Sequence, residues 1–109
     1  MRAVARAFTL LAAVGCADGP DPCVPMCAAA AELYGGCLEG WGTDWTAAGY
    51  DDKADFLDAC DTWAWTSREL EAEADKEGAV DAECRSRQDT LEGGTCDDFT
   101  ALDWSGVPW

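Results

Sequence analysis

Apolar and polar positions alternate readably in several stretches of the chain, and each stretch predicts an element. Ala7 to Val14 is an uncharged run of eight residues, apolar but for Thr9, that follows Arg2 and Arg6 and meets the breakers Gly15, Gly19, Pro20 and Pro22. Residues 17–24 hold two prolines and a glycine and read as a non-helical tether. Pro25, with Val24 before it kept out of the α region, is expected as the first helical residue of a segment reaching Tyr34, where Gly35 and Gly36 stop it. Residues 35–49 hold five glycines together with Trp41 and Trp45 and read as a loop. From Asp51 the pattern is helical: Phe56, Cys60 and Trp63 fall at i, i+4 and i+7, with Leu57 and Ala64 beside them, so Cys60 should face inward. Asp51 and Asp52 suit the first turn of that helix. Thr66-Ser67-Arg68-Glu69 has capping-box spacing, which predicts a fresh helix after Trp65. It should run through Leu70, Ala74, Ala79, Ala82 and Cys84 toward Leu91, with Gly78 as a break and Gly93-Gly94 as the stop. Asp97 to Leu102 is at most a short last turn, and Trp104 to Trp109 an irregular tail. No β alternation of useful length occurs, so the expected fold is all-α, a small bundle of about three helices with a Gly/Trp-rich loop.

Composition adds what holds such a bundle together. The 109 residues include 22 acids, 7 bases, seven cysteines, six tryptophans and no histidine, for a net charge of -15. Without histidine, Ser-His-Asp triads, histidine-bearing zinc sites and attached c-type haem are excluded. The acid excess argues against nucleic acid as a partner. From Cys23 the cysteines are spaced C-x3-C-x9-C-x22-C-x23-C-x11-C, through Cys27, Cys37, Cys60, Cys84 and Cys96. This contains neither the C-x2-C of a thioredoxin-like site nor the paired knuckles of a zinc ribbon, and no EF-hand spacing is present, so no metal or other cofactor is expected. The expected role of the six is three disulfides, which would compensate a small core and uncompensated charge. Six cysteines allow fifteen pairings, and spacing does not choose among them.

The N-terminal pattern, a short basic segment and an apolar run far below the ~20 residues that span a bilayer, is that of an export signal. Ala13-Val14-Gly15-Cys16, which follows, resembles the lipobox of bacterial lipoproteins, a likeness confined to residues 1–16. The resemblance implies that Cys16 carries a thioether-linked diacylglycerol and begins the mature chain, which makes the membrane a partner through the anchor. Cysteine parity agrees: with Cys16 acylated an even set of six remains, and without acylation one thiol is left over. The expected organisation is a signal peptide over 1–15, an anchor cysteine and tether over 16–24, and a cysteine-rich domain over 25–109. Loss of Arg2 and Arg6 with the signal takes the net charge from -15 to -17. Ala17, where an aspartate would signal inner-membrane retention in enteric bacteria, implies the outer membrane or cell surface by the same resemblance.

Beyond the anchor, two features are candidates for function. Trp41-Gly42-Thr43-Asp44-Trp45 places two indoles and a carboxylate in one loop, chemistry suited to stacking on a sugar or peptide and accepting its hydrogen bonds. Core packing is the alternative for these rings and the preferred role for Trp63. The second feature is acid: Asp51, Asp52, Asp55, Asp58 and Asp61, then Glu69, Glu71, Glu73, Asp75 and Glu77, fields able to attract a basic protein or cation, or simply solvated faces. Lys76 has Glu73 as a helical partner in this reading, and Lys53 has no helical neighbour of opposite charge after it. Ser67, Ser86 and Ser105 lie in no nucleophile-elbow pattern, and no catalytic set emerges. The expectation is a non-enzymatic envelope or surface lipoprotein with an unknown protein or glycan partner. A binding module built on Trp41, Asp44 and Trp45, or an acidic partner of a basic protein or cation, is the alternative.

Overall fold

A computed structural model describes residues 20–105; the export segment, Cys16 and Trp109 lie outside the described residues. Four helices follow one another: α1 (Cys23–Gly40), α2 (Lys53–Glu73), α3 (Ala79–Leu91) and the short α4 (Cys96–Thr100). The described residues contain no strand, and the fold is a small disulfide-linked helical bundle. α1 is its centre and packs against each of the other three helices. The reason is its stripe: Cys23, Met26, Cys27, Ala30 and Ala31 recur at i, i+3, i+4, i+7 and i+8 and are all buried. The alanines keep that face flat, so neighbouring backbones can approach it.

α1 departs from expectation at both ends. It begins at Cys23, not Pro25, and Val24 is helical. Pro25 is tolerated as the third residue because none of the first four N–H groups of a helix has an intrahelical acceptor. The Asp21 carboxylate takes up the Cys23 N–H at 2.9 Å. Gly35 and Gly36 do not stop the helix, which continues to Gly40. Two helical glycines cost about 2 kcal/mol together. Continuing the helix buries Cys37 and Leu38 and carries Cys37 to its disulfide partner, which is worth more. Much of the expected 35–49 loop is therefore helix, and the true turn, with Gly42 at φ 73°, follows Trp41.

α2 runs unbroken through Thr66-Ser67-Arg68-Glu69, so the capping-box spacing there starts no helix. Its buried stripe of Phe56, Cys60, Ala64 and Ser67 crosses that segment, and leaving helical geometry at Thr66 would take the stripe off α1. Its real cap is Asp52, which accepts the Asp55 N–H at 2.9 Å. Lys53 finds its ion-pair partner in Glu32 of α1. The break at Gly78 is real: Asp75 (φ 55°) and Gly78 (φ 86°) turn the chain through the left-handed region into α3. Lys76 thus sits in a turn, not on a helix. Gly78 has no side chain to cap with, and Glu71 reaches across to accept the Val80 N–H at 2.9 Å. The buried face of α3 is Val80, Cys84, Arg87 and Leu91, while Leu70, Ala74 and Ala82 are exposed. α4 opens on a capping box between Thr95 and Asp98.

Three disulfides join these helices: Cys23–Cys84 (α1 to α3), Cys27–Cys60 (α1 to α2) and Cys37–Cys96 (α1 to α4). Every bond has one end on α1, and Cys60 faces inward as its phase predicts. The need for them is visible in the core. Most of its buried apolar residues are cysteines and alanines, and only Met26, Leu38, Phe56, Val80, Leu91 and Phe99 bring larger aliphatic or aromatic side chains. Such a core supplies little burial energy against chain entropy in so short a chain.

Candidate functional site

The tryptophans that the sequence groups are separated by the fold. Trp41 lies past the end of α1, 52% exposed. Trp45 turns inward, half-buried, with its ring 3.2 Å from where a Cβ on Gly35 would stand. The Asp44 carboxylate faces solvent and accepts the Ala47 N–H at 2.9 Å, which shapes the turn that aims Trp45. The two indoles therefore do not form one exposed pair: Trp41 offers a ring to solvent, and Trp45 belongs to the interior.

What Trp45 joins is a continuous string of seven rings contributed by three helices and two loops. Tyr50 and Trp45, from the loop after α1, meet Phe56 of α2 at 5.2 and 5.5 Å between centroids. Phe56 meets Tyr34 of α1 at 5.5 Å, and Tyr34 stacks on Phe99 of α4 at 4.4 Å. Phe99 meets Trp104 at 6.0 Å, and Trp104 stands edge to face with Trp63 of α2 at 5.7 Å. Each such pair contributes about 0.5–1.5 kcal/mol beyond its buried area. Burial, with a smaller contribution from Tyr50, pushes the Tyr34 phenol above its ordinary pKa, so it stays protonated.

At the far end of the string sits a cation. Arg87 of α3 is 5% exposed, its guanidinium carbon 4.8 Å from the ring centres of both Trp63 and Trp104. Nε donates to Glu83 at 2.8 Å and Nη2 to the Asp103 carbonyl at 2.8 Å. Among the described residues, Arg87 Nη1 and the Trp104 indole Nε1–H are buried donors with no acceptor. Asp103 is held below the usual carboxylate range by the Ser105 hydroxyl and N–H.

The rings leave a cleft between them. Tyr34, Tyr50, Phe56, Trp63, Phe99 and Trp104 line a space of about 260 Å³, with Ala59 and Cys60. A shallower groove of about 400 Å³ adjoins it across Trp63 and Trp104, toward Thr66, Leu70 and Ser105. Sequence reading did not find this cleft, because its members are scattered from residue 34 to residue 104. One local signal exists: Arg87 occupies the i+7 position of the stripe Val80, Cys84, Arg87, Leu91, where an apolar residue belongs.

A second charged cluster is closed to ligands. Asp21, Cys23 and Asp81 bring potential metal-ligating atoms within 4.8 Å of one another. The Cys23 sulfur is in a disulfide, and Arg68 fills the centre, donating to Asp21 at 2.8 and 2.5 Å and to Asp81 at 2.7 Å. The guanidinium beside Asp21 is the chief cause of that carboxyl's lowered pKa, and the two carboxylates raise that of Arg68. Among the described residues, no helix is long and apolar enough to cross a membrane. No protein-family model, no curated protein and no solved structure matches the chain.

Proposed function

We propose that the chain is an exported lipoprotein, cleaved after Gly15 and anchored through acylated Cys16, whose helical domain acts by binding and not by catalysis. The observation that carries this reading is the pairing of Cys23, Cys27, Cys37, Cys60, Cys84 and Cys96 among themselves. Three structural disulfides belong to an oxidising compartment, and they leave no thiol in the chain for Cys16 to pair with. A lone thiol exposed to oxidation invites intermolecular bonding, and acylation removes it. Two acyl chains also give stable attachment where one gives marginal binding.

The geometry of the anchor follows. α1 begins at Cys23, seven residues after Cys16, so the tether reaches at most about 25 Å. The domain is held close to the leaflet, and its net charge of -17 after loss of Arg2 and Arg6 keeps it off an anionic surface. Labelled palmitate fed to the native host tests the reading. Label should enter the wild-type chain, which should partition into a detergent phase, and Cys16→Ser should lose both properties. A wild-type chain without label, or a labelled Cys16→Ser chain, would refute it.

A further inference from the structure

We propose that the groove beside α2 lined by Trp63, Thr66, Leu70 and Trp104 is a docking surface for a lysine- or arginine-rich segment of a partner protein, one that also carries a large apolar side chain. This rests on the binding part of the proposed function and names the partner's chemistry; it does not depend on the anchor.

The groove supplies the apolar part of the surface. Ala59, Thr62, Trp63, Thr66, Ser67 and Leu70 fall at i, i+3, i+4, i+7, i+8 and i+11 of α2, so it runs along the helix for about 16 Å. Its volume is about 400 Å³, and since about 150 Å³ holds a benzene, about two large side chains fit. Leu70, at one end, is 40% exposed. Trp65, three residues from Thr62 and so its neighbour on the helix surface, is 65% exposed. Large apolar groups left in water beside a groove mark an interaction surface, and indoles are among the side chains that carry most of the energy of protein interfaces.

The rim decides the partner's charge. Asp58, Glu69 and Glu73 each lie three or four residues from a groove-lining residue, which places them beside the groove, and all three are exposed. None of them has an ion-pair partner among the described residues. Both bases of α2 are engaged elsewhere, Lys53 with Glu32 and Arg68 with Asp21 and Asp81. A basic segment supplies the missing charges, and its cations also stack on Trp65. Other occupants fit less well. A second copy would bring the same acids and its own net charge of -15 to this face. A divalent cation needs ligand atoms that converge, and the group of three that does so among the described residues, Asp21, Cys23 and Asp81, includes none of the rim acids.

The test uses the full chain labelled with nitrogen-15, in phosphatidylcholine nanodiscs if it carries acyl mass and in buffer if it does not, so failure of the anchor leaves the readout intact. The probe is the peptide Lys-Lys-Leu-Phe-Lys-Lys, compared with Lys-Lys-Ser-Ser-Lys-Lys and Glu-Glu-Leu-Phe-Glu-Glu. The indole N–H resonance lost in Trp65→Phe identifies Trp65, and the probe should move it saturably; titration calorimetry gives the affinities. Exchanging Leu-Phe for Ser-Ser should weaken binding severalfold. Raising salt from about 0.01 to about 0.15 M should do the same, because screening shortens from about 30 to about 8 Å. Trp65→Ala should weaken the probe about tenfold. Asp58→Asn with Glu69→Gln should weaken it about threefold, and Glu39→Gln with Asp89→Asn, which removes the same charge from exposed positions on α1 and α3, should leave it unchanged. All five side chains are exposed, so these variants keep the core intact. No saturable shift at millimolar probe, affinity indifferent to salt or to Trp65→Ala, equal losses from the two double variants, or equal binding of either comparison peptide would each overturn the proposal. So would a Trp109→Ala chain that binds the probe when the wild type does not, because residues 106–109, which follow Ser105 at the groove's edge, would then be the occupant.

Discussion

Removing the Cys37–Cys96 bond as Cys37→Ala with Cys96→Ala should destabilise the domain by about 3.5 kcal/mol, less than its span suggests. Taken alone, the bond closes 59 residues, for which the chain-entropy relation gives about 4.2 kcal/mol. With Cys23–Cys84 in place, the unfolded chain already has a shorter route from Cys37 back to Cys23, across to Cys84 and on to Cys96. That route is about 26 residues, and the same relation gives about 3.5 kcal/mol. Alanine is chosen because serine would bury a hydroxyl at Cys37, which is 2% exposed. In a domain of this size 1 kcal/mol moves Tm by about 4–8 °C, so the double variant should melt roughly 14–28 °C lower. Circular dichroism at 222 nm against temperature measures it, with urea titration as the independent check. A fall in Tm below about 5 °C would refute the idea that cross-links substitute for the missing core.

Gly36→Ala should raise stability by about 1 kcal/mol, because Gly36 is helical and a Cβ there meets nothing within 4 Å; Gly35→Ala should gain less or lose, because its Cβ presses on Trp45. Thermal melts of the two single variants decide this, and equal gains would show that Trp45 does not pack on Gly35. Asp21→Asn should cost about 1 kcal/mol at neutral pH, given the exposure of its ion pair with Arg68. Since the folded Asp21 pKa is depressed, this stability is present above the unfolded value of about 3.9 and is lost as pH falls through the folded one. The melting curves of variant and wild type should therefore converge in strong acid and separate above it; a constant gap would contradict the ion pair. Arg87→Ala should destabilise by about 3 kcal/mol, while Arg87→Met, which fills the space without a charge to desolvate, should recover most of that loss. Chemical denaturation of both variants checks it, and equal destabilisation would point to the charge itself as essential.

How much of this the sequence revealed depends on how local each feature is. The helical class, the Phe56 and Cys60 phase, the break at Gly78 and the stop after Leu91 all rest on neighbours within two turns, and the structure has them. The length of α1 was not legible, because Gly35 and Gly36 are local stop signals overruled by Cys37 reaching a partner 59 residues away. Likewise Thr66-Ser67-Arg68-Glu69 has the spacing of a cap, yet Ala64 and Ser67 hold the segment on the buried face of α2. The even set of cysteines announced disulfides, but pairing follows from which helices touch, and spacing carries no such information. Lys53 with Glu32 and Glu71 on Val80 are tertiary in the same sense. Of the candidate loop, Trp41, Asp44 and Trp45 are adjacent in sequence and divided by the fold. The aromatic cleft is the converse case, assembled from rings that no short motif connects.

Intact mass of the protein from its native membrane, measured before and after reduction and alkylation, tests the anchored, cross-linked domain most directly. A chain beginning at Cys16 with added diacylglycerol mass, accepting no alkyl group before reduction and six after, is the expected result, matching the three disulfides. A chain without acyl mass that takes an alkyl group before reduction would contradict it.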